Sequence, residues 1–351
     1  MKPPLVYIII LNWNGCRDTI ECLESVFKLD YDNFKVIVVD NGSIDDSVLV
    51  IRKRYPQVIL IENRENLGYT GGNNIAMHYA MEQGAEYMWL LNNDTLIERN
   101  TLEKLVGTAG KSDEIGMVSP VIYYLGEPEE IQFCGCCIDW KNLNLIKFEN
   151  TEDALSGESK MPDQIWLWGT ALLIRSKVIL KVGYLDEQYF AYWEDVDYSI
   201  RANIAGFRNV VDHSARIYHK LPRARIGEIN HPPHYFYYMA RNEYLFWTKY
   251  LKGLKKVLFL KRYLGDVILL CGGCFNHESN ECVDACFKGV ASGVRKIGGP
   301  WERSIEQTYV LRKLRGIFSW HPNLWGNLLK GNYAHIVSEV VKRGKTKLFN
   351  N

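Results

Sequence analysis

Trp193-Glu194-Asp195-Val196-Asp197 is the densest acidic cluster in the chain that also adjoins aromatic residues. Carboxylates at a helix start are stabilised by the helix dipole, so capping is the plain reading. The chemical reading makes one of them a general base that takes a proton from an attacking hydroxyl. Leu90-Leu91-Asn92-Asn93-Asp94-Thr95 sets an acid just past an apolar run. It either ends a strand in an Asp turn or, with its amide neighbours, holds a hard cation such as Mg2+ or Mn2+ through oxygen. In Asp40-Asn41-Gly42-Ser43, the carboxylate can accept from a pyrimidine N–H or a ribose hydroxyl, Gly42 permits a tight turn and Ser43 can cap a helix. A capping turn alone explains the segment equally well. Residues 66–74 (Asn-Leu-Gly-Tyr-Thr-Gly-Gly-Asn-Asn) form a glycine-rich stretch whose N–H groups can face a phosphate or a sugar, or simply make a capped loop. The dinucleotide fingerprint G-x-G-x-x-G is absent, which weighs against a nicotinamide enzyme. His219 is one of eight histidines, and a single histidine is more often structural than a ligand.

These segments need a scaffold that sets strand ends side by side. Residues 5–11, 36–39, 58–61 and 87–91 are short apolar runs that read as strands. Helical spacing covers 16–28, then a stretch from Ser43 and Asp45 to about residue 55, then 71–81. Buried strands alternating with helices predict a mostly parallel sheet covered on both faces, with ligands at the carboxyl ends of its strands. The polar clusters at 12–14, 40–43 and 92–95 fall there. Further on, 115–124, 131–148, 165–174 and 207–218 read as strands, 148–163 as a loop and 194–205 as a helix.

With 351 residues, 47% hydrophobic and 24% charged, the chain is an ordinary globular protein of about two domains. Disordered, collagen-like and disulfide-framework proteins are excluded. Lys and Arg number 42 against 41 acids, so no whole-surface nucleic-acid binder is expected. No targeting segment is legible, and no apolar run reaches the roughly 18 residues of a spanning helix, so a cytoplasmic location is expected. The nine cysteines read as reduced core residues. Cys271, Cys274, Cys282 and Cys286 fit no standard zinc spacing well.

Taken together, residues 6–15, 38–43, 66–74, 91–94, 183–187, 193–197 with Arg201, 238–242 and 289–295 occur in an order that resembles one family. They resemble the inverting family-2 glycosyltransferases with the GT-A fold, most of all the rhamnosyltransferase-like branch, over about residues 5–300. The resemblance implies an α/β GT-A domain over 1–230, Rossmann-like with a mostly parallel sheet, and a mainly helical region over 231–351. It implies a dTDP- or UDP-sugar donor and a glycan or lipid-linked acceptor. Asp195 matches the catalytic base, with Glu194 beside it and Trp193 near the acceptor. Asn12, Asp40, Asn41, Gly42, Ser43, Gly68, Gly71, Asn73, Asn93 and Asp94 fall on the nucleotide-sugar side. Asp94 and His219 match the residues that hold a divalent cation. Two departures stand out: Asn92 replaces the first acid of the metal-binding D-x-D element, and Lys220 follows the histidine where a small residue is usual. If the cation is dispensable, Arg223 or Arg225 can supply positive charge instead.

Two rivals stand beside this reading. A nucleotidyltransferase predicts a basic glycine-rich loop early in the chain, and residues 12–18 are not one. An inactive sugar- or lipid-binding protein is opposed by the intact Glu194-Asp195 pair. In the carboxyl-terminal part, Tyr235, Phe236, Tyr237, Tyr238, Phe246 and Trp247 interleave with Lys249, Lys252, Lys255, Lys256, Lys261 and Arg262. This pattern predicts peripheral contact with the inner face of an anionic membrane. The alternative is that the aromatics pack helices together and the lysines are a solvated face.

Overall fold

The computed structural model describes residues 2–220, 231–276 and 280–301. The chain divides into two compact units, Met1–Ala224 and Arg225–Asn351.

The first unit opens as β1 (Val6–Asn12), α1 (Cys16–Val26), β2 (Phe34–Asp40), α2 (Ser47–Arg54), β3 (Ile59–Glu62), α3 (Gly68–Glu82), β4 (Tyr87–Asn92), β5 (Thr95–Ile97) and α4 (Thr101–Ala109). It continues through β6 (Ile115–Tyr124), β7 (Glu127–Phe133), β8 (Cys136–Asp139), β9 (Asn144–Lys147), α5 (Thr151–Lys160), β10 (Ile165–Trp166), β11 (Ala171–Arg175), α6 (Ser176–Val182), α7 (Glu194–Ile204) and β12 (Arg208–His219). The main sheet runs β3-β2-β1-β4-β11-β6-β12-β5, with β7 beside β6, and a small sheet runs β10-β8-β9. Val6 to Ile10 and Val36 to Val39 are buried because helices cover both faces of the sheet, and continuous apolar runs are the result.

Register decides what meets at the sheet edge. Asn12 pairs with Asp40 across β1 and β2, and Leu11 with Asn92 across β1 and β4. The three polar strand ends therefore stand in one row. Antiparallel β11 begins at the same edge, with Ala171 opposite Leu91. β12 runs parallel to β6 and pairs with β5 so that His219 lies opposite Thr95, one residue from Asp94.

Three expectations are corrected. Residues 148–163 hold helix α5 rather than a loop: Asn150 caps it by accepting from the Asp153 N–H at 2.9 Å, and Gly157 lets it close over Phe148, whose ring would meet a Cβ at 2.2 Å. Residues 131–148 contain a hairpin rather than one long strand. Residues 165–174 are broken at 167–170, between β10 and β11.

The second unit contains α8 (Pro233–Tyr250), α9 (Gly253–Asn276) and α10 (Asn280–Arg295) among the described residues. A Cβ on Gly289 would meet the Tyr237 carbonyl oxygen at 2.3 Å, and one on Gly293 would meet the Arg241 carbonyl oxygen at 3.2 Å, so both glycines let α10 lie close on α8. Phe236, Tyr237, Tyr238, Phe246 and Trp247 are buried. The aromatic half of the expected membrane-facing surface is thus the core of this unit. Among the described cysteines, Cys22, Cys134, Cys136, Cys137, Cys282 and Cys286 are buried free thiols and Cys16 is a half-buried one. The side chains of Cys271 and Cys274 lie outside the described part.

Candidate active site

The row of strand ends forms a closed polar corner. Asn12 Nδ2 donates to Asp40 Oδ2 at 2.8 Å and to Ser43 Oγ at 3.1 Å, while the Ser43 N–H donates to Asp40 Oδ1 at 2.9 Å. Asp40 is buried, and both its oxygens are used. Gly42 has φ +76°, and a Cβ there would meet Glu65 Cα at 2.8 Å, so the turn demands glycine. Asn41 Nδ2 donates to Asn66 Oδ1 at 2.9 Å and to the Gly68 carbonyl at 3.0 Å, and its Oδ1 accepts from the Leu67 N–H at 3.1 Å.

The glycine-rich stretch differs from expectation. It is the first turns of α3, and its glycines serve close packing. The Gly68 N–H is taken by Asn66 Oδ1 at 2.8 Å and the Thr70 N–H by the Phe190 carbonyl at 3.1 Å. A Cβ on Gly68 would meet Phe190 O at 2.4 Å, one on Gly71 would meet Leu67 Cβ at 2.9 Å, and one on Gly72 would meet Leu11 Cδ1 at 2.4 Å. Asn73 Nδ2 donates to the Tyr69 carbonyl in its own helix at 2.8 Å. Asn74, next to it, grips Leu185 through both amide atoms at 3.0 Å. The Gly68 and Thr70 N–H groups are thus spent on the protein, and Gly68, Gly71 and Gly72 let α3 pack closely.

Asp94 and His219 do come together. His219 Nε2 lies 3.1 Å from Asp94 Oδ1, yet both atoms are buried without a well-directed hydrogen bond. His219 Nδ1 is 2.8 Å from Gln132 Oε1. That amide oxygen accepts, so Nδ1 carries the proton and Nε2 turns a lone pair toward Asp94. Two lone-pair donors about 3 Å apart suit adjacent ligands of one octahedral cation. The residues therefore fit a hard divalent ion, although no cluster of three or more His, Cys, Asp or Glu suited to a metal exists among the described residues. Burial pushes the Asp94 carboxyl up, but contact with His219 and the Lys220 charge outweigh it and hold it below the usual range. Lys220 Nζ is bound to Asp18 at 2.6 Å and to Glu21 at 2.7 Å, which fixes a positive charge beside the pair. Asn93 Nδ2 donates to Thr19 Oγ1 at 3.0 Å, and Thr19 donates to Asn12 Oδ1 at 2.7 Å, which ties the Asp94 turn to the polar corner. Arg223 and Arg225 lie outside the described residues.

The start of α7 is different in kind. Phe190, Tyr192 and Trp193 adopt φ of 65°, 67° and 71°, a left-handed conformation that costs roughly 1–3 kcal/mol per residue. Asn74, and Thr70 through Phe190, hold that segment in place. Asp195 is half-buried, with Oδ2 accepting the Gly169 N–H at 3.1 Å and Oδ1 its neighbour's N–H at 2.8 Å. Burial pushes its carboxyl up to about 6, against the pull of those N–H groups. Glu194 is buried with Oε2 unpartnered, and burial and the Asp195 charge drive its carboxyl well above the usual range. Trp193 is buried, while Tyr192 next to it is exposed. Asp197 is structural: its Oδ2 accepts from Arg201 Nε at 2.8 Å, and Arg201 holds the carbonyls of Val182 and Tyr184.

Sequence reasoning missed Gly169, Tyr69 and Gln132. The Tyr69 hydroxyl donates to the Gly169 carbonyl at 2.6 Å, so one peptide joins α3 to the Asp195 carboxylate. A glycine inside an apolar strand pattern was the available signal, since it marks a close backbone approach. Gln132 gave no signal.

Residues 7–155 match the profile of "Glycosyl transferase family 2". The chain is 29% identical over 204 residues to the N-acetylglucosaminyl-diphospho-decaprenol L-rhamnosyltransferase of Mycobacterium tuberculosis, covering 52% of this chain and 66% of that protein, just under two thirds of its length. It is 24% identical over 266 residues to the dTDP-rhamnosyl transferase RfbF of Shigella flexneri, covering 72% of this chain and 85% of that one. In structure it is similar to the mannosyltransferase PcManGT of Pyrobaculum calidifontis, solved with GDP-Man and Mn2+, at TM-score 0.53 and 16% identity, over 97% of this chain and 86% of that one. The shared fold is GT-A.

Proposed function

Residues 7–155 belong to glycosyl transferase family 2, and on that premise we propose that this chain is an inverting glycosyltransferase. It moves a sugar, rhamnose by analogy with the relatives, from a dTDP- or UDP-sugar to a hydroxyl of a glycan or lipid-linked acceptor. The observation that carries the reading is the Asp195 carboxylate: pushed up to about 6, oriented by the Gly169 N–H and set beside Glu194. A base with that affinity is ionised at neutral pH and still accepts a proton well.

Asp195 takes the proton of the acceptor hydroxyl as its oxygen bonds to the anomeric carbon. The bond from that carbon to the diphosphate oxygen breaks on the opposite face, and its electron pair leaves with the diphosphate. One displacement inverts the anomeric centre. Burial and the Asp195 charge hold the Glu194 carboxyl well above its usual range, so its protonated form can donate to an acceptor oxygen. Asn12, Asp40, Asn41, Gly42 and Ser43 set the shape of the nucleotide site, and Asn93 holds the turn that carries Asp94. Asp94 and His219 would hold a divalent cation, which would stabilise the charge growing on the diphosphate. Lys220 adds a fixed positive charge at the same edge. We place the reaction on the cytoplasmic side, with a membrane-held acceptor.

The test is incubation with pooled nucleotide sugars and a lipid extract, read by mass spectrometry. A deoxyhexose added to an acceptor, with release of nucleoside diphosphate, is expected. A nucleotide added to a sugar phosphate, or binding with no turnover of any donor, overturns the reading.

A further inference from the structure

Helix α9 has two unlike sides. Phe259, Tyr263 and Val267 are buried in its own unit. Leu254, Val257, Leu258 and Leu264 are 73%, 61%, 53% and 58% exposed. At 3.6 residues per turn, positions 254, 257, 258, 261 and 264 share one face, opposite the buried one. Single exposed apolar residues are ordinary, but four on one stripe over eleven positions make a patch.

The charge around that patch is mostly positive. Residues 249–265 contain six Lys or Arg and no Asp or Glu, and of these Arg262 is paired with Glu243 and with Asp266. Lys252 and Lys261 are exposed, and Lys261 lies within the apolar stripe. No helix among the described residues is long and apolar enough to cross a membrane. We propose that the outer face of α9 docks on an anionic phospholipid surface, with its leucines and Val257 among the acyl chains and Lys252 and Lys261 at the headgroup phosphates.

Charge separates this occupant from two others. A second copy would bring the same cations face to face. Residues 302–351 carry nine Lys or Arg against three Glu, so that stretch matches the sign of the face it would have to cover. Only an anionic partner complements it. The surface differs from the one the sequence suggested, because the aromatics of α8 are inside and the apolar contact passes to aliphatic residues of α9.

The test is flotation of the full chain with vesicles of phosphatidylglycerol and phosphatidylethanolamine, beside vesicles of phosphatidylcholine alone. Neither donor nor acceptor is present, so this result and the transfer assay can fail independently. Binding to the anionic vesicles at low salt, weakened by high salt and absent on phosphatidylcholine, is expected. The double variant Val257→Glu, Leu258→Glu should lower the partition about tenfold or more. Lys252→Ala and Lys261→Ala should each lower it roughly fivefold. The altered positions are exposed, so thermal melting should be unchanged. If the double variant does not fold, the two lysine variants decide alone. The proposal is overturned by no flotation at low salt, by variants that float like the parent, or by sedimentation showing that they instead dissolve a dimer.

Discussion

Asp40 and Asp195 are aspartates of the same unit in opposite circumstances. Asp40 ends β2 with both oxygens satisfied by Asn12 and Ser43, in a corner where each polar group has a partner. Asp195 stands beside Glu194, which keeps a buried oxygen without one, on a segment with three left-handed residues. A satisfied network fixes shape at little cost. Buried polar atoms without partners cost free energy unless something arrives to meet them. The difference supports the proposed division of roles, with the Asp40 corner as architecture for a nucleotide and the α7 start as the place of the chemistry. Asp94 and His219 lie between, anchored through Gln132 but with two facing atoms unmet.

The comparison breaks most sharply at Asp195. Asp195→Asn keeps the shape and removes the base, so turnover should fall about 10²–10⁴-fold while donor affinity holds. Rates from single-turnover transfer and affinities from calorimetry check both halves. Near-normal transfer by Asp195→Asn, with Glu194→Gln inactive, moves the base to Glu194.

Gln132→Leu removes the partner of His219 Nδ1 and frees the ring tautomer. Mn2+ affinity in the presence of nucleoside diphosphate should fall roughly 10–100-fold, read by electron paramagnetic resonance without any turnover. Unchanged affinity would mean that His219 is no ligand.

Asp40→Ala leaves the Ser43 N–H unpaired and Asn12 Nδ2 with Ser43 Oγ alone, at a cost of about 1–3 kcal/mol. Melting temperature should drop and donor binding should weaken, with the chemical step largely kept. A loss confined to the chemical step contradicts the architectural role.

The smallest effect belongs to Glu194→Gln. The folded carboxyl binds its proton more tightly than the unfolded one, so the wild type loses stability as pH rises past the unfolded value. Glutamine has no such loss. The variant should gain on the order of 2 °C in melting temperature at pH 8 and nothing at pH 4, in paired scans.

Much of this contrast was legible in the residues. The runs over 36–39 and 87–91 read as buried strands because both sheet faces are covered, and polar residues at their ends then had to share an edge. The acid pair and His219 were visible as types, but not the peptide at Gly169 that orients one or the amide of Gln132 that orients the other. Such contacts join positions 26 and 87 residues apart, and no local pattern encodes them. Helix α5 was hidden because Gly157 reads as a breaker, and only the Phe148 ring against it explains the glycine. Tyr237 and Trp247 were read toward a membrane because amphipathic rings suit cores and interfaces alike.

The most direct test of the central claim is the pH dependence of kcat/KM for sugar transfer. An ionised Asp195 must accept the proton, so the rate should climb with pH and level off above an apparent pKa of about 6. The residual activity of Asp195→Asn should lack that limb. A wild-type profile flat from pH 5 to 8, or a limb that survives in Asp195→Asn, contradicts the assignment of the base.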